Sequence, residues 1–89
     1  MTEADARLSS LRQEIDKLDS TIWSLLEKRF YLLKEVAKIK HDSNIPILDQ
    51  KREKDVLTRI TALSCDPEVS SAIGKLYELV FELSRKYQK

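Results

Sequence analysis

LSSLRQEIDKLDSTIWSLLEKRFYLLKEVAKIK, residues 8–40, decides the fold. Its large apolar residues are Leu8, Leu11, Ile15, Leu18, Ile22, Leu25, Leu32, Val36 and Ile39. The steps between them alternate three and four, which is the seam of a helix that packs along its whole length. One position breaks the series: between Leu25 and Leu32 the seam carries Arg29. A guanidinium on a packing seam is costly unless an anion meets it. Neither Gly nor Pro interrupts the run, so it reads as one helix of roughly 50 Å. A compact chain of this size has a diameter of about 30 Å. The helix is longer than the globule it would belong to, so a second chain is expected to cover its seam. A two-fold dimer is the simplest closed arrangement.

Composition agrees. The chain has 89 residues, one Gly and two Pro, with 42% hydrophobic and 35% charged residues. That is the profile of a single all-α domain spanning residues 1–89. Sixteen basic against fifteen acidic residues leave a net charge of +1, which argues against a nucleic-acid partner. Cys65 is the sole cysteine, which excludes an internal disulfide and a cysteine metal cluster. No signal-peptide run and no membrane-spanning stretch stands out. A reduced, cytoplasmic setting is the resulting expectation.

In chain order, residues 1–7 are polar and expected to fray. Ser9 or Ser10 offers a cap for the long helix, which should end near His41 or Asp42. Asp42-Ser43-Asn44-Ile45-Pro46 is rich in turn formers. Ile47 and Leu48 should tuck against the core. Asp49 suits the N-cap of a second helix. That helix carries Val56, Leu57, Ile60 and Leu63 on one face and should stop near Ser64. Asp66-Pro67 restarts a third helix, with a cap and a Pro at its first position. Val69, Ile73, Leu76, Val80, Leu83 and Tyr87 form its apolar stripe. Gly74 lies inside that helix at some cost, where another backbone could come close.

Several polar residues share faces with these stripes. Lys40 follows Arg29 by 11 residues, so the two lie within about 20° of each other and roughly 16 Å apart along one helix. Together they could bracket a small anion. Arg12, 17 residues before Arg29, is rotated by about 100° and displaced by about 25 Å. It cannot serve the same pocket from the same chain, but in a two-fold dimer it could serve the partner's. Glu53 points with the apolar stripe of the second helix, and Arg52 and Asp49 share its first turn. On the third helix Phe81, Ser84 and Gln88 form a face that turns from aromatic to polar. A shared polar pocket would satisfy all of these groups. Each also has a plain structural reading. Arg29 could snorkel, Lys40 and Glu53 could complement helix dipoles, and Asp49 could only cap. Arg12 could pair with Asp16, and Ser84 and Gln88 could simply be solvated. Trp23 and Phe30 suit a core or interface, and His41 and Cys65 receive no role. No nucleophile–base pair, phosphate loop or metal-ligand spacing appears.

The order and spacing of these residues resemble the all-helical chorismate mutase family, the AroQ type. The matching text is Leu11-Arg12-Gln13-Glu14-Ile15-Asp16-Lys17-Leu18-Asp19, Leu25-Leu26-Glu27-Lys28-Arg29 and Val36-Ala37-Lys38-Ile39-Lys40. It continues in Pro46-Ile47-Leu48-Asp49-Gln50-Lys51-Arg52-Glu53 and in Ser84 with Gln88. The resemblance covers almost the whole chain. It implies an intertwined homodimer of three-helix chains, one helix long and two shorter, converting chorismate to prephenate on the route to phenylalanine and tyrosine. It implies no cofactor and no metal, while the charge balance and the lack of a spanning stretch give no nucleic-acid and no membrane partner. Residue by residue, it gives the substrate carboxylates to Arg29 and the partner chain's Arg12, with Ser84 assisting. Lys40 and Gln88 would donate to the ether oxygen. Glu53 would take the ring hydroxyl beside Asp49, Arg52 would orient nearby acids, and Val36 and Phe81 would be apolar walls. Two other readings fit the same residues: an isochorismate–pyruvate lyase of the same fold, and a non-catalytic helical dimerisation module. The second would tolerate Arg29→Leu and bind no small ligand.

Overall fold

The computed structural model describes residues 2–89 and consists of three helices, α1 (Glu3–Asp42), α2 (Gln50–Thr61) and α3 (Pro67–Gln88). No strand forms among the described residues. The chain divides into two units, Met1–Tyr31 and Leu32–Lys89, with α1 running through the division.

The first unit is helix alone. Its start lies earlier than the sequence reading expected: residues 3–7 are helical rather than frayed, and Met1 lies outside the described residues. The reason is a reciprocal cap. The Asp5 amide donates to Thr2 Oγ1 at 3.1 Å, and the Thr2 amide and hydroxyl donate to Asp5 Oδ2 at 3.0 and 2.9 Å. This is a capping box with Asp in place of the usual Glu, and it displaces Ser9 and Ser10 from the capping role. The Thr2 amide, then its hydroxyl, hold the Asp5 carboxyl below its ordinary value. Acidic residues in the first turn and Lys40 and His41 in the last complement the dipole of α1. No residue of α1 is buried. The apolar residues of the seam from Leu8 to Ile39 are all exposed, from 38% at Val36 to 62% at Leu32.

In the second unit α1 ends as expected, at Asp42. The Ile45 amide donates to Lys40 O at 2.8 Å and the Asn44 amide to His41 O at 3.4 Å, with Asn44 at φ 55°. This is a Schellman closure, in which Asn takes the left-handed position at low cost. Asp49 caps α2 by accepting from the Arg52 amide at 3.0 Å, and Asp66 caps α3 by accepting from the Glu68 and Val69 amides. α2 stops at Thr61, three residues short of Ser64, and Leu63 lies in the following turn, 81% exposed. The Ser70 hydroxyl donates to Thr61 O and Ser64 O, and the Thr61 hydroxyl to Leu57 O. The Ser70 hydroxyl thus takes the Thr61 carbonyl, which a longer helix would have used.

α2 packs on α3. The face of α3 that turns inward is Ser70, Gly74, Tyr77, Phe81, Ser84 and Gln88, all buried or half-buried. The apolar stripe expected there is largely exposed: Val69, Ile73, Leu76, Leu83 and Tyr87 stay between 38% and 56% accessible. Both stripes have helical spacing, but the inner one carries the small residues that let helices approach. At Gly74 an added Cβ would lie 3.5 Å from Thr61 Cγ2 and 3.9 Å from Leu57 Cδ1. Side chains, not a backbone, therefore face this glycine. Val56 and Phe81 are the buried hydrophobic residues, and Tyr77 meets Phe81 edge to face with ring centroids 5.7 Å apart.

Candidate active site

Lys40, from the last turn of α1, and Gln88, from the last turn of α3, line one cavity of about 300 Å³ together with Ala37, Ile45 and Ile47. The Schellman closure fixes the α1 end of this cavity. Lys40 Nζ donates to Ile47 O at 2.9 Å, which anchors the loop and uses one of the three donors of the ammonium. Gln88 Nε2 donates to Ser84 O at 3.2 Å, which uses one of the two amide hydrogens. Gln88 Oε1 is buried without a hydrogen-bond partner among the described residues. Ser84 is 4% exposed and its hydroxyl donates to Val80 O at 2.6 Å.

The other expected site residues lie as follows. Glu53 is half-buried and paired to Arg85, whose Nη1 is 2.6 Å from both carboxylate oxygens. Asp49 and Arg52 are exposed at the start of α2 and joined through the cap. Val36 is 38% exposed and Phe81 is buried. Arg12, exposed, and Arg29, half-buried, belong to the unit ending at Tyr31, whereas the cavity belongs to the unit Leu32–Lys89. The structure therefore brings Lys40 and Gln88 together, ties Gln88 to the Ser84 backbone carbonyl and gives Glu53 a cation. The sequence reading missed Arg85. Its signal was position, one residue after Ser84 and three before Gln88, but beside Lys86 it reads as part of a solvated basic end. Among the described residues no cluster of His, Cys, Asp and Glu could hold a metal, and no helix is long and apolar enough to cross a membrane.

An ammonium and a carboxamide with unspent donors line the same small part-apolar cavity, a donor set whose chemistry suits an oxygen-rich anionic ligand. The comparisons give the family. The family described as chorismate mutase type II matches residues 11–89. The chain is 37% identical to a chorismate mutase of Methanocaldococcus jannaschii, over 93% of this chain and 85% of that protein. It is also 37% identical to the bifunctional chorismate mutase/prephenate dehydratase of Buchnera aphidicola, over 92% of this chain but 22% of that larger protein. A solved chorismate mutase (form II) from Thermus thermophilus superposes with a TM-score of 0.86 at 30% identity, over 92% of this chain and 93% of that one. The chain belongs to the chorismate mutase type II family.

Proposed function

We propose that this chain rearranges chorismate to prephenate in a site shared between two chains. The observation that carries the reading is the convergence of Lys40 and Gln88 in one cavity. A Claisen rearrangement is unimolecular, so the protein needs no nucleophile. It holds the reactive conformer, with the enolpyruvyl end folded over the ring. It also meets the negative charge that grows on the ether oxygen as the C–O bond stretches. Lys40, steadied by the Ile47 carbonyl, has donors left for that oxygen, and so has the second amide hydrogen of Gln88. Because neither gives up a proton, both can be preorganised before reaction.

Arg29 and the partner subunit's Arg12 bind the two carboxylates, a task that suits the planar guanidinium fork. Ser84 assists at a carboxylate by turning its hydroxyl from Val80 O. Glu53 accepts from the ring hydroxyl beside Asp49, Arg52 supports these acids, and Val36 and Phe81 provide apolar wall. The two-fold dimer is supported by the bare seam of α1. Up to Tyr31 no residue of the helix is fully buried, and an isolated helix of ordinary composition is marginal in water.

Mixing two inactive variants, Arg12→Ala and Lys40→Ala, tests the shared site. Heterodimers then hold one intact site and one doubly damaged site. Statistical mixing of two-fold dimers should recover about a quarter of the unaltered activity. Heterodimers that form without regaining activity would show that Arg12 does not act across the interface.

A further inference from the structure

Arg85 has no role in the reaction drawn above, yet it makes a close ion pair with Glu53. Its Nη1 lies 2.6 Å from each oxygen of Glu53. Equal distances place the nitrogen near the bisector of the carboxylate. The inner lone pair of each oxygen is engaged and the outer ones stay open. The pair joins α2 to α3 and is only part-exposed, at 32% for Arg85 and 25% for Glu53. Arg85 also lines a cleft with Ile47 and Leu48, and Ile47 lines the Lys40–Gln88 cavity as well. Arg85 therefore lines a cleft that shares Ile47 with that cavity.

Two consequences follow for a substrate that carries two carboxylates and a ring hydroxyl. A bare Glu53 carboxylate would repel the dianion while accepting from its hydroxyl. A guanidinium locked onto the same carboxylate cancels the repulsion and leaves outer lone pairs for the hydroxyl. It also limits the rotamers of a Glu side chain, so the acceptor is aimed before the ligand arrives. We propose that Arg85 is the positioning residue of Glu53: it neutralises the carboxylate and orients it toward the substrate hydroxyl. This rests on the reading of Glu53 as the acceptor for that hydroxyl.

The test is a double-mutant cycle on chorismate turnover with Arg85→Met, Arg85→Lys, Glu53→Gln and the double variant Arg85→Met/Glu53→Gln. Circular dichroism and sedimentation check fold and assembly for each. Arg85→Met should lower kcat/KM about tenfold, the effect of one uncompensated like charge a few ångströms away at a half-wet site. Most of that should be a rise in KM, and Arg85→Lys should restore part of it. In the Glu53→Gln background, where no charge is left to neutralise, adding Arg85→Met should change kcat/KM less than twofold. Equal losses in both backgrounds would overturn the proposal, since Arg85 would then act on the fold or on the substrate directly. A damaged Glu53→Gln with a silent Arg85→Met would overturn the proposal alone. An unaltered kcat/KM in Glu53→Gln, or no turnover by the unaltered protein, would overturn the reading of Glu53 and the proposal with it.

Discussion

Replacing Leu18 by Asp asks directly what covers the seam of α1. Leu18 lies midway along the first unit and is 61% exposed in the single chain. Fully burying a leucine side chain contributes about 1.5–3 kcal/mol, so covering the remaining three-fifths is worth about 1–2 kcal/mol per chain. A two-fold dimer counts it twice, giving about 2–4 kcal/mol. Asp at this position loses that contribution and also brings two carboxylates into an apolar interface, at several kcal/mol per ion before relaxation. The sum exceeds about 5 kcal/mol, so the dissociation constant should rise by more than about 10³-fold. If the seam instead stood in water, the substitution would cost only the difference in helix propensity, about 0.5 kcal/mol. Sedimentation equilibrium over a range of chain concentrations separates the two cases. Helicity by circular dichroism on the same samples should fall with dissociation, because an uncovered α1 is marginal. Lys17→Gln, an exposed neighbour off the seam, serves as control. A Leu18→Asp chain that associates and melts like its parent would refute the reasoning.

Gly74→Ala should stabilise the protein by about 0.5–1 kcal/mol, because the new methyl meets only ordinary contacts at 3.5 and 3.9 Å and α3 gains helix propensity; thermal melts at one fixed chain concentration check it, and a drop in Tm would contradict it. Gln88→Glu should be poorly active near neutral pH, where the carboxylate accepts instead of donating, and should gain activity as pH falls and the acid recovers its O–H donor. Its kcat/KM across the acidic range, beside a flatter parent profile, is the measurement, and a variant as active as the parent at neutral pH with no acid-side gain would remove Gln88 from the ether oxygen.

Local chemistry was legible where it is strong. Asp66 before Pro67, Asp49 before α2 and the turn after Asp42 each have one cheap solution, and the structure adopts it. Lys40 and Gln88 could be singled out because each is polar on a packing face. The inward stripe of α3 could not be picked, since the outward stripe has the same period and larger apolar residues. Periodicity weighs hydrophobic size, whereas α3 meets α2 at Ser70 and Gly74. The Thr2–Asp5 box was hidden by the substitution of Asp for Glu. Arg85 was hidden because its partner, Glu53, lies 32 residues away in sequence, and no local pattern announces a pair that distant.

The most direct test of the account is the loss of chorismate absorbance, with identification of the product, on adding the purified protein and its Lys40→Met variant. The account predicts prephenate from the unaltered protein. It predicts a folded, dimeric Lys40→Met protein slower by about 10²–10³-fold, the usual effect of losing one preorganised donor to a developing oxyanion. A folded dimer that leaves chorismate untouched would contradict it, as would one that instead turns isochorismate into salicylate and pyruvate, or a Lys40→Met variant as fast as its parent.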